Sequence, residues 1–463
     1  MICESSLQRG KIKKGDRMKI IQAIQGNAFY STDFDTVKYI HNGLFCYDEL
    51  GVITKVLETD DSDYEKTKKN IKNVRVLSND EIILPGFVDL HIHAPQYPQA
   101  GIALDRPLEL WLNDYTFPLE SKYSDLVFAK KVYTDVVNTT LKHGTTTAVY
   151  FATVDRKSSV LLAKLCGELG QRGFVGKVAM DDELGCPSYY KDKNAIDAAK
   201  ETEKFVLEVL NLQEKYHQKV YPVITPRFIP SCTTECLEAM GQLAKKYNTH
   251  IQTHASESDW AHQYAKDKYK MTDVEALITF GLITNKTIIA HAPFLEENDL
   301  KILKETGCSI AHSPLSNAYF ANAVLPVKAF KTKGARIGLA TDVSGGFSPS
   351  MYQSIRQAVT SSRMLESGVD PLLSNNTRGR KHSAITFNNA LYLATVAGGE
   401  ALDLPLGKLE KGYMMDIQIL NLNELIPSYI KPKQPIDILH KALLLSESSN
   451  IKEVWVQGKK INK

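Results

Sequence analysis

Much of the chain alternates between short apolar runs rich in β-branched residues and longer stretches whose apolar residues recur at helical spacing. The stretch 125–141 is typical of the second kind: a candidate N-cap, Ser124, precedes it and Gly144 follows its end. Further helices are predicted at 194–217, 234–247 and 298–305. The strand-like runs fall at 145–152, 174–180, 220–228, 250–254, 287–291, 308–312 and 336–340.

An earlier apolar run, at 81–93, adds an eighth strand to this series. Eight near-continuous apolar strands that alternate with amphipathic helices predict an α/β protein built on a parallel (β/α)8 TIM barrel. A doubly wound open sheet produces the same alternation and is the competing architecture.

Both ends of the chain have a different pattern, with short strand-like runs separated by turn residues. We expect residues 18–84 and 402–463 to pair into one small β-sandwich domain beside a barrel of residues 85–401. Residues 1–17 are polar and basic and contain no apolar core. They predict a disordered tail rather than a secretory signal.

Composition narrows the possible partners and the cellular compartment. The 463 residues are 43% hydrophobic and 24% charged, which is enough apolar material for a large core. Lys and Arg number 56 against 53 Asp and Glu, so the charge favours neither nucleic acid nor an anionic membrane as partner. No apolar run reaches the roughly 18 residues that span a bilayer. Seven scattered cysteines, including Cys232 and Cys236, are typical of reduced thiols in a cytoplasmic protein.

Two histidines end the run at 81–93. Successive side chains of a strand point to opposite faces, so His91 and His93 project from the same face. Two imidazoles placed in this way form half of a transition-metal site. A hydrogen-bonded pair of core histidines is the alternative, and the polar neighbours Pro85-Gly86 and Asp89 make it the weaker one, since buried polar groups need partners.

Further polar residues stand near the ends of the later predicted strands. In a parallel barrel the functional side chains lie at the carboxyl ends of the strands. Nitrogen and carboxylate ligands without thiolates suit Zn²⁺ or Fe²⁺, and an open coordination position would lower the pKa of a bound water towards ~7. The residues at these ends are His91, His93, Arg227, His254, His291, His312 and Asp342.

Several local strings resemble those of the amidohydrolase superfamily and, more narrowly, of its guanine deaminase family. Members of that superfamily have a (β/α)8 barrel with a small β-sandwich formed by both termini. The resemblance covers the chain from about Met18 to the C-terminus. The strings are Pro85-Gly-Phe-Val-Asp-Leu-His-Ile-His-Ala-Pro-Gln-Tyr, Trp111-Leu-Asn-Asp-Tyr-Thr-Phe-Pro-Leu-Glu120, Thr225-Pro-Arg-Phe, His254-Ala-Ser-Glu and Asp342-Val-Ser-Gly-Gly.

The resemblance implies a role for each of these positions. Glu257 would be the general acid/base, which delivers a proton to the ring nitrogen beside the carbon under attack. Asp342 would act both as a ligand and as a second base, and His291 would lie close to the metal and orient the reacting group. The implied ligands of a single zinc ion are His91, His93, His254 and Asp342.

The same resemblance implies a purine pocket. Arg227 would donate two parallel hydrogen bonds to the ring carbonyl and neighbouring nitrogen of guanine, a geometry that lysine does not reproduce. Gln96, Trp111 and Phe228 would complete the pocket through an amide hydrogen bond and apolar faces. His254, Glu257 and Asp342 would reach the substrate from the metal side. Family members are usually homodimers, and we expect the same here.

Each assignment has a structural alternative. Glu257 could be a carboxylate at a helix N-terminus, and Asp342 could be a helix cap. Arg227 could pair with a structural acid, and His312 fits a structural role better than a functional one. Arg227 also stands where two-metal relatives hold a carboxylated lysine, which favours a single metal ion.

The sequence therefore predicts a cytoplasmic, zinc-dependent enzyme that hydrolyses guanine to xanthine and ammonia. Two other functions remain open. One is a single-metal amidohydrolase that acts on another heterocycle, and the other is a catalytically silent barrel that serves as a scaffold.

Overall fold

The computed structural model describes residues 22–427, 429 and 432–461. The predicted tail at 1–17 lies outside these residues. The strands, numbered in chain order, are β1 (Gln22–Ser31), β2 (Val37–Tyr47), β3 (Ile53–Leu57), β4 (Asn73–Val76), β5 (Glu81–Pro85), β6 (Phe87–His93), β7 (Thr145–Phe151), β8 (Arg172–Gly176), β9 (Val178–Ala179), β10 (Val220–Pro226), β11 (His250–Ala255), β12 (Thr287–His291), β13 (Ser309–His312), β14 (Arg336–Leu339), β15 (Ile417–Asn421), β16 (Ile451–Val456) and β17 (Lys459–Lys460).

Helices fill the connections between the barrel strands. Short 3-10 segments lie at Ala94–Gln99, Ser121–Ser124, Ile229–Ser231 and Ser448–Asn450, and π-helical segments at Leu112–Thr116 and Asn317–Ala321. The α-helices are α1 (Tyr64–Asn70), α2 (Leu108–Trp111), α3 (Phe117–Glu120), α4 (Leu126–Lys142), α5 (Arg156–Leu169), α6 (Ala195–Gln213), α7 (Thr234–Tyr247), α8 (Asp259–Tyr269), α9 (Asp273–Thr279), α10 (Glu297–Thr306), α11 (Pro314–Ser316), α12 (Val327–Thr332), α13 (Met351–Ser367), α14 (Phe387–Ala394), α15 (Val396–Ala401) and α16 (Pro435–Leu445).

Eight parallel strands form the predicted barrel. Their order is β6, β7, β8, β10, β11, β12, β13 and β14, and β9 extends the edge of β10. The segment after β14 returns to β6: the Asp342 N–H donates to the His91 carbonyl at 2.9 Å, and the His93 N–H donates to the Val343 carbonyl at 2.8 Å. The (β/α)8 prediction is thereby confirmed, and the open doubly wound sheet is not the architecture.

The remaining strands form one mixed sheet that draws on both ends of the chain, as predicted. Its order is β17, β16, β15, β5, β1, β2 and β3, with β4 paired to β1. β1 changes partner along its length, because a register shift between Gly26 and Ala28 separates the half that pairs with β4 from the half that pairs with β5. Buried residues of this sheet, including Ile24, Phe45 and Ile83, form a second apolar core.

A buried ion pair joins this sheet to the barrel. The Arg172 guanidinium, at the start of β8, is fully buried and pairs with Asp416, which directly precedes β15. Arg172 also donates to the Thr147 hydroxyl at 3.0 Å and to the Gln457 side-chain oxygen at 2.9 Å. The contact lies at the amino ends of the barrel strands, away from the end that carries the predicted ligands.

Some predicted bounds differ from the structure for local reasons. Helix α4 is capped by Asp125 rather than Ser124, because the Asp125 carboxylate accepts the Val127 N–H at 2.8 Å. The predicted strand at 174–180 is interrupted at Lys177, whose buried ammonium turns to meet Asp192 at 2.8 Å. Helix α7 has the predicted bounds. Among the helices of the described residues, none is long and apolar enough to cross a bilayer.

Candidate metal centre

Four buried residues come together at the carboxyl ends of the barrel strands. His91 and His93 end β6, His254 lies near the end of β11, and Asp342 follows β14. His93 Nε2 lies 3.0 Å from His254 Nε2, and Asp342 Oδ1 lies 3.1 Å from His91 Nε2 and 3.6 Å from His93 Nε2. All four predicted ligands are therefore adjacent, although they are separated by up to about 250 positions along the chain.

His291, at the end of β12, belongs to the same cluster. His91, His254 and His291 form one set of potential ligand atoms within 4.8 Å of one another, and His91, His93 and Asp342 form a second. The Nδ1 of His291 lies 3.0 Å from Asn317 Oδ1, which accepts its proton and directs Nε2 towards the cluster. His291 Nε2 lies 3.9 Å from Asp342 Oδ2, a predicted metal ligand. This position agrees with the prediction that His291 lies close to the metal.

The donor set fits one divalent metal ion. Among the described residues, neither His91 Nε2 nor His291 Nε2 has a hydrogen-bond partner, although both atoms are buried. Burial lowers the pKa of His91, His93 and His254 well below the ordinary histidine value, which keeps their nitrogen lone pairs available. Imidazole nitrogens and a carboxylate without thiolate are ligands that Zn²⁺ and Fe²⁺ accept.

Backbone and side-chain contacts fix the orientation of this cluster. The carbonyl of Arg227 accepts the proton of His254 Nδ1 at 2.7 Å, so Nε2 of His254 faces the other ligands. Asp342 has a φ of 50° and His291 a φ of 73°, left-handed conformations that are uncommon outside glycine. Such strained residues are frequently found where side chains are aimed into a functional site.

Glu257 lies beside the cluster, with Oε1 3.5 Å from His291 Nε2. Burial, and then the charge of Asp342, raise the pKa of Glu257 to about 8. The residue precedes the N-cap of α8, since it is Ser258 whose hydroxyl accepts the Ala261 N–H at 3.3 Å. Glu257 therefore lies at the N-terminus of α8, as the structural alternative stated, but does not cap the helix. The capping alternative for Asp342 also fails, because the next α-helix of the described chain begins only at Met351.

A cavity opens directly above the cluster. Gly345 is one of its lining residues. A β-carbon at this position would come 2.8 Å from Asp342 Oδ2, so glycine allows the close approach. Every predicted substrate contact lines this cavity, together with apolar residues that the sequence did not single out. The lining residues are His93, Gln96, Leu108, Trp111, Leu112, Arg227, Phe228, His254, Glu257, Phe320, Asp342 and Gly345.

A buried carboxylate stands behind the polar wall of the cavity. Glu120 accepts from Arg227 Nη1 at 2.6 Å and from Arg227 Nη2 at 3.3 Å, so the two side chains form a bidentate pair. Gln96 Nε2 donates to the same carboxylate at 2.9 Å. Burial would lower the pKa of Arg227, but the charge of Glu120 raises it above its ordinary value. Arg227 therefore does pair with a structural acid, Glu120, as the alternative prediction stated. It also lines the cavity.

Comparison with known proteins places this site in a family. A sequence profile described as the amidohydrolase family matches residues 82–461. The chain belongs to the amidohydrolase family. It is 34% identical to the guanine deaminase of Dictyostelium discoideum, over 96% of this chain and 98% of that one. The guanine deaminase of Homo sapiens is 38% identical over 84% of each chain.

Solved structures agree with this placement within the amidohydrolase family. The guanine deaminase of C. acetobutylicum, determined with guanine bound in its active site, has a TM-score of 0.86 to this protein. The two are 30% identical, and the match covers 95% of this chain and 100% of the other. The predicted resemblance to guanine deaminases is therefore confirmed across nearly the whole described chain.

His312 occupies a position at the edge of this amidohydrolase site. It is buried, burial lowers its pKa to about 3, and it lies outside both sets of potential ligands.

Sequence reasoning missed Glu120, although it is the last residue of the Trp111–Glu120 string used for the resemblance. It also missed Phe320, which packs on Trp111 at a ring-centroid distance of 5.2 Å. The short irregular helices that carry these residues give no periodic signal.

Proposed function

We propose that this protein is a zinc-dependent guanine deaminase, which hydrolyses guanine to xanthine and ammonia. One observation carries the proposal: a single cavity combines a His/Asp cluster suited to a metal, a carboxyl group with a raised pKa and a buried arginine. The similarity to guanine deaminases over most of the chain supports the same reaction.

In this proposal one zinc ion per chain would be held by His91, His93, His254 and Asp342, and His291 belongs to the same cluster. Bound zinc supplies a water whose pKa is lowered from 15.7 to about 7, which makes hydroxide available at neutral pH. That oxygen would add to C2 of guanine, and the bond from C2 to its amino nitrogen would break as that nitrogen gained a proton and left as ammonia.

Glu257 and Asp342 handle the protons of this reaction. With a pKa of about 8, Glu257 holds a proton at neutral pH and donates it to the ring nitrogen next to C2. Asp342, whose pKa is also raised by burial, would take a proton from the attacking oxygen and pass it to the leaving amino nitrogen. His291, 3.5 Å from Glu257 and 3.9 Å from Asp342, orients the reacting oxygen between the two carboxyl groups.

Other residues that line the cavity bind and orient the purine. Arg227 donates hydrogen bonds to the ring carbonyl side, and Gln96 adds an amide contact. Trp111 and Phe228 are nearly fully buried and provide flat apolar faces for the ring. A close apolar lining also excludes bulk water, which strengthens the hydrogen bonds made inside.

The test is ultraviolet monitoring of guanine, with parallel measurement of ammonia, using zinc-loaded protein. We expect Glu257→Gln to retain its metal and to lose about 10²–10⁴-fold in kcat, because the proton donor is gone. Glu183→Gln is the matched control, since this carboxylate is 88% exposed and does not line the cavity. A Glu257→Gln variant that keeps most of the activity contradicts the assigned role.

The same measurements separate the other functions. Ammonia released from cytosine or a triazine, but not from guanine, favours an amidohydrolase of a different heterocycle. Protein that binds zinc and turns over none of these compounds favours a scaffold. We further propose that the protein is cytoplasmic, because the six cysteines within the described residues are buried free thiols, as expected in a reducing compartment. We also propose that it forms a homodimer. Light scattering of the purified protein tests the dimer.

A further inference from the structure

The carboxylate of Glu120 contacts two of the cavity-lining side chains, Gln96 and Arg227. It ends the short helix α3, its side chain is completely buried, and it accepts three hydrogen bonds from two cavity-lining residues. The charge of Glu120 also acts on Tyr190, because burial and then this charge raise the pKa of the Tyr190 phenol. Glu120 itself is not among the residues that line the cavity.

The first consequence concerns Gln96, whose amide could in principle point either way. Its Nε2 donates to Glu120, and its Oε1 accepts from the Ser344 N–H at 3.3 Å and from the Ser344 hydroxyl at 3.4 Å. A reversed amide would place two acceptors 2.9 Å apart on one side and two N–H donors against each other on the other side. Because an ionised carboxylate accepts only, Glu120 fixes the direction of the Gln96 amide.

The second consequence concerns Arg227. Two of its five N–H groups donate to Glu120, and its guanidinium lies over the Phe117 ring at 5.0 Å from the ring centroid. The bidentate contact and the ring together fix the plane of the guanidinium. Arg227 Nη1 also contacts Met180 Sδ at 4.0 Å, and the N–H groups that remain are the ones available to a ligand in the cavity.

We propose that Glu120 is a positioning residue that sets the substrate specificity of this site. It fixes both the N–H donors of Arg227 and the side-chain oxygen of Gln96. The Arg227 donors complement a ring carbonyl, and the Gln96 oxygen complements a neighbouring ring N–H. Guanine presents this pair at its six-membered ring, whereas a purine with an amino group there presents a donor and an acceptor in the reverse order. The inference rests on the proposed deamination of guanine, and it adds that Glu120 determines the preference for guanine over other purines.

The experiment compares two substrates that carry the same leaving group. Guanine and 2-aminopurine both have an amino group on C2, but 2-aminopurine lacks the carbonyl and the neighbouring N–H. In the wild type, guanine should be strongly preferred, because polar groups left without partners reject the analogue. In Glu120→Gln we expect the ratio of the two kcat/KM values to fall at least about tenfold, with the metal content per chain unchanged.

A second variant covers the case in which Glu120→Gln fails to fold, since it leaves the charge of Arg227 without its partner. Gln96→Leu removes the amide and keeps the Arg227–Glu120 pair. It should lower the same ratio, mainly through KM for guanine, and leave the metal bound. An unchanged ratio in Gln96→Leu overturns the proposal, as does an equal loss for both substrates or a loss of metal in Glu120→Gln.

The two proposals fail in different ways. If zinc-loaded wild-type protein releases no ammonia from guanine, the proposed function is wrong and the comparison of substrates has no basis. If the wild type deaminates guanine and prefers it, but either variant leaves the preference unchanged, only the role of Glu120 is wrong. Metal analysis of each preparation excludes an incomplete site as the cause of either result.

Discussion

Asp89 offers a direct test of how the barrel holds its candidate metal ligands. The side chain lies within β6 and is completely buried. Its Oδ1 accepts the His91 N–H at 3.2 Å and the Thr341 N–H at 3.0 Å, and its Oδ2 is hydrogen-bonded to the Thr341 hydroxyl. One carboxyl group therefore connects the first barrel strand to the residue directly before Asp342.

Replacing Asp89 with alanine should be costly. It leaves two buried backbone N–H groups without an acceptor, and each costs about 1–3 kcal/mol, so the total is about 2–6 kcal/mol. Asp89→Asn is the matched control, since its amide oxygen can still accept both N–H groups and its NH₂ can donate to Thr341. Burial raises the pKa of Asp89 to about 7, so a neutral amide is a close substitute, and we expect a loss below about 1 kcal/mol.

Thermal unfolding and metal retention measure the effect. At roughly 2 °C per kcal/mol for a chain of this size, Asp89→Ala should lower Tm by about 4–12 °C, and Asp89→Asn by no more than about 2 °C. The alanine variant should also release zinc faster to a chelator, because the Asp89 carboxyl group no longer links the His91 N–H to Thr341, the residue before Asp342. An alanine variant with wild-type Tm refutes the reasoning, and so does an asparagine variant as unstable as alanine.

Two further predictions follow from buried charged groups. The proton on Glu257 is lost as pH rises through its pKa of about 8, so kcat/KM for guanine should fall on the alkaline side of pH 8, and a rate that stays constant up to pH 10 contradicts this. Arg172→Met leaves the Asp416 charge buried and should cost about 3–5 kcal/mol by thermal unfolding, with kcat/KM unchanged. Arg172→Met/Asp416→Leu should recover part of that loss, and a double variant weaker than the single one counts against the pairing.

The barrel could be predicted from the sequence because its strands are short, apolar and regularly spaced. A strand with both faces buried has to be apolar along its length, so the ends of each apolar run mark the ends of the strand. For example, β12 occurs at 287–291 as predicted. The predicted site residues could be located for the same reason. His254 and Asp342 stand where apolar runs give way to polar residues, and parallel topology brings such ends together.

The sequence contains no comparable signal for the segment between β6 and α4. This segment consists of 3-10, π-helical and very short α-helical turns, whose hydrophobic spacing follows neither common period. Glu120 therefore could not be paired with Arg227 from the sequence, because the two lie 107 positions apart and only the folded segment brings them together. The helix α16 was also missed, since the flanking strand pattern masked its helical spacing.

The sheet shared by both chain ends also determines when the protein can finish folding. β5 pairs with β15, and the Gln418 amide donates to the Pro85 carbonyl across 333 positions. A chain emerging from the ribosome can assemble barrel strands in sequence, but β5 has no partner on its β15 side until nearly the whole polypeptide has been made. That exposed edge is a site where unfinished chains can associate with one another, and we expect it to bind chaperones during synthesis.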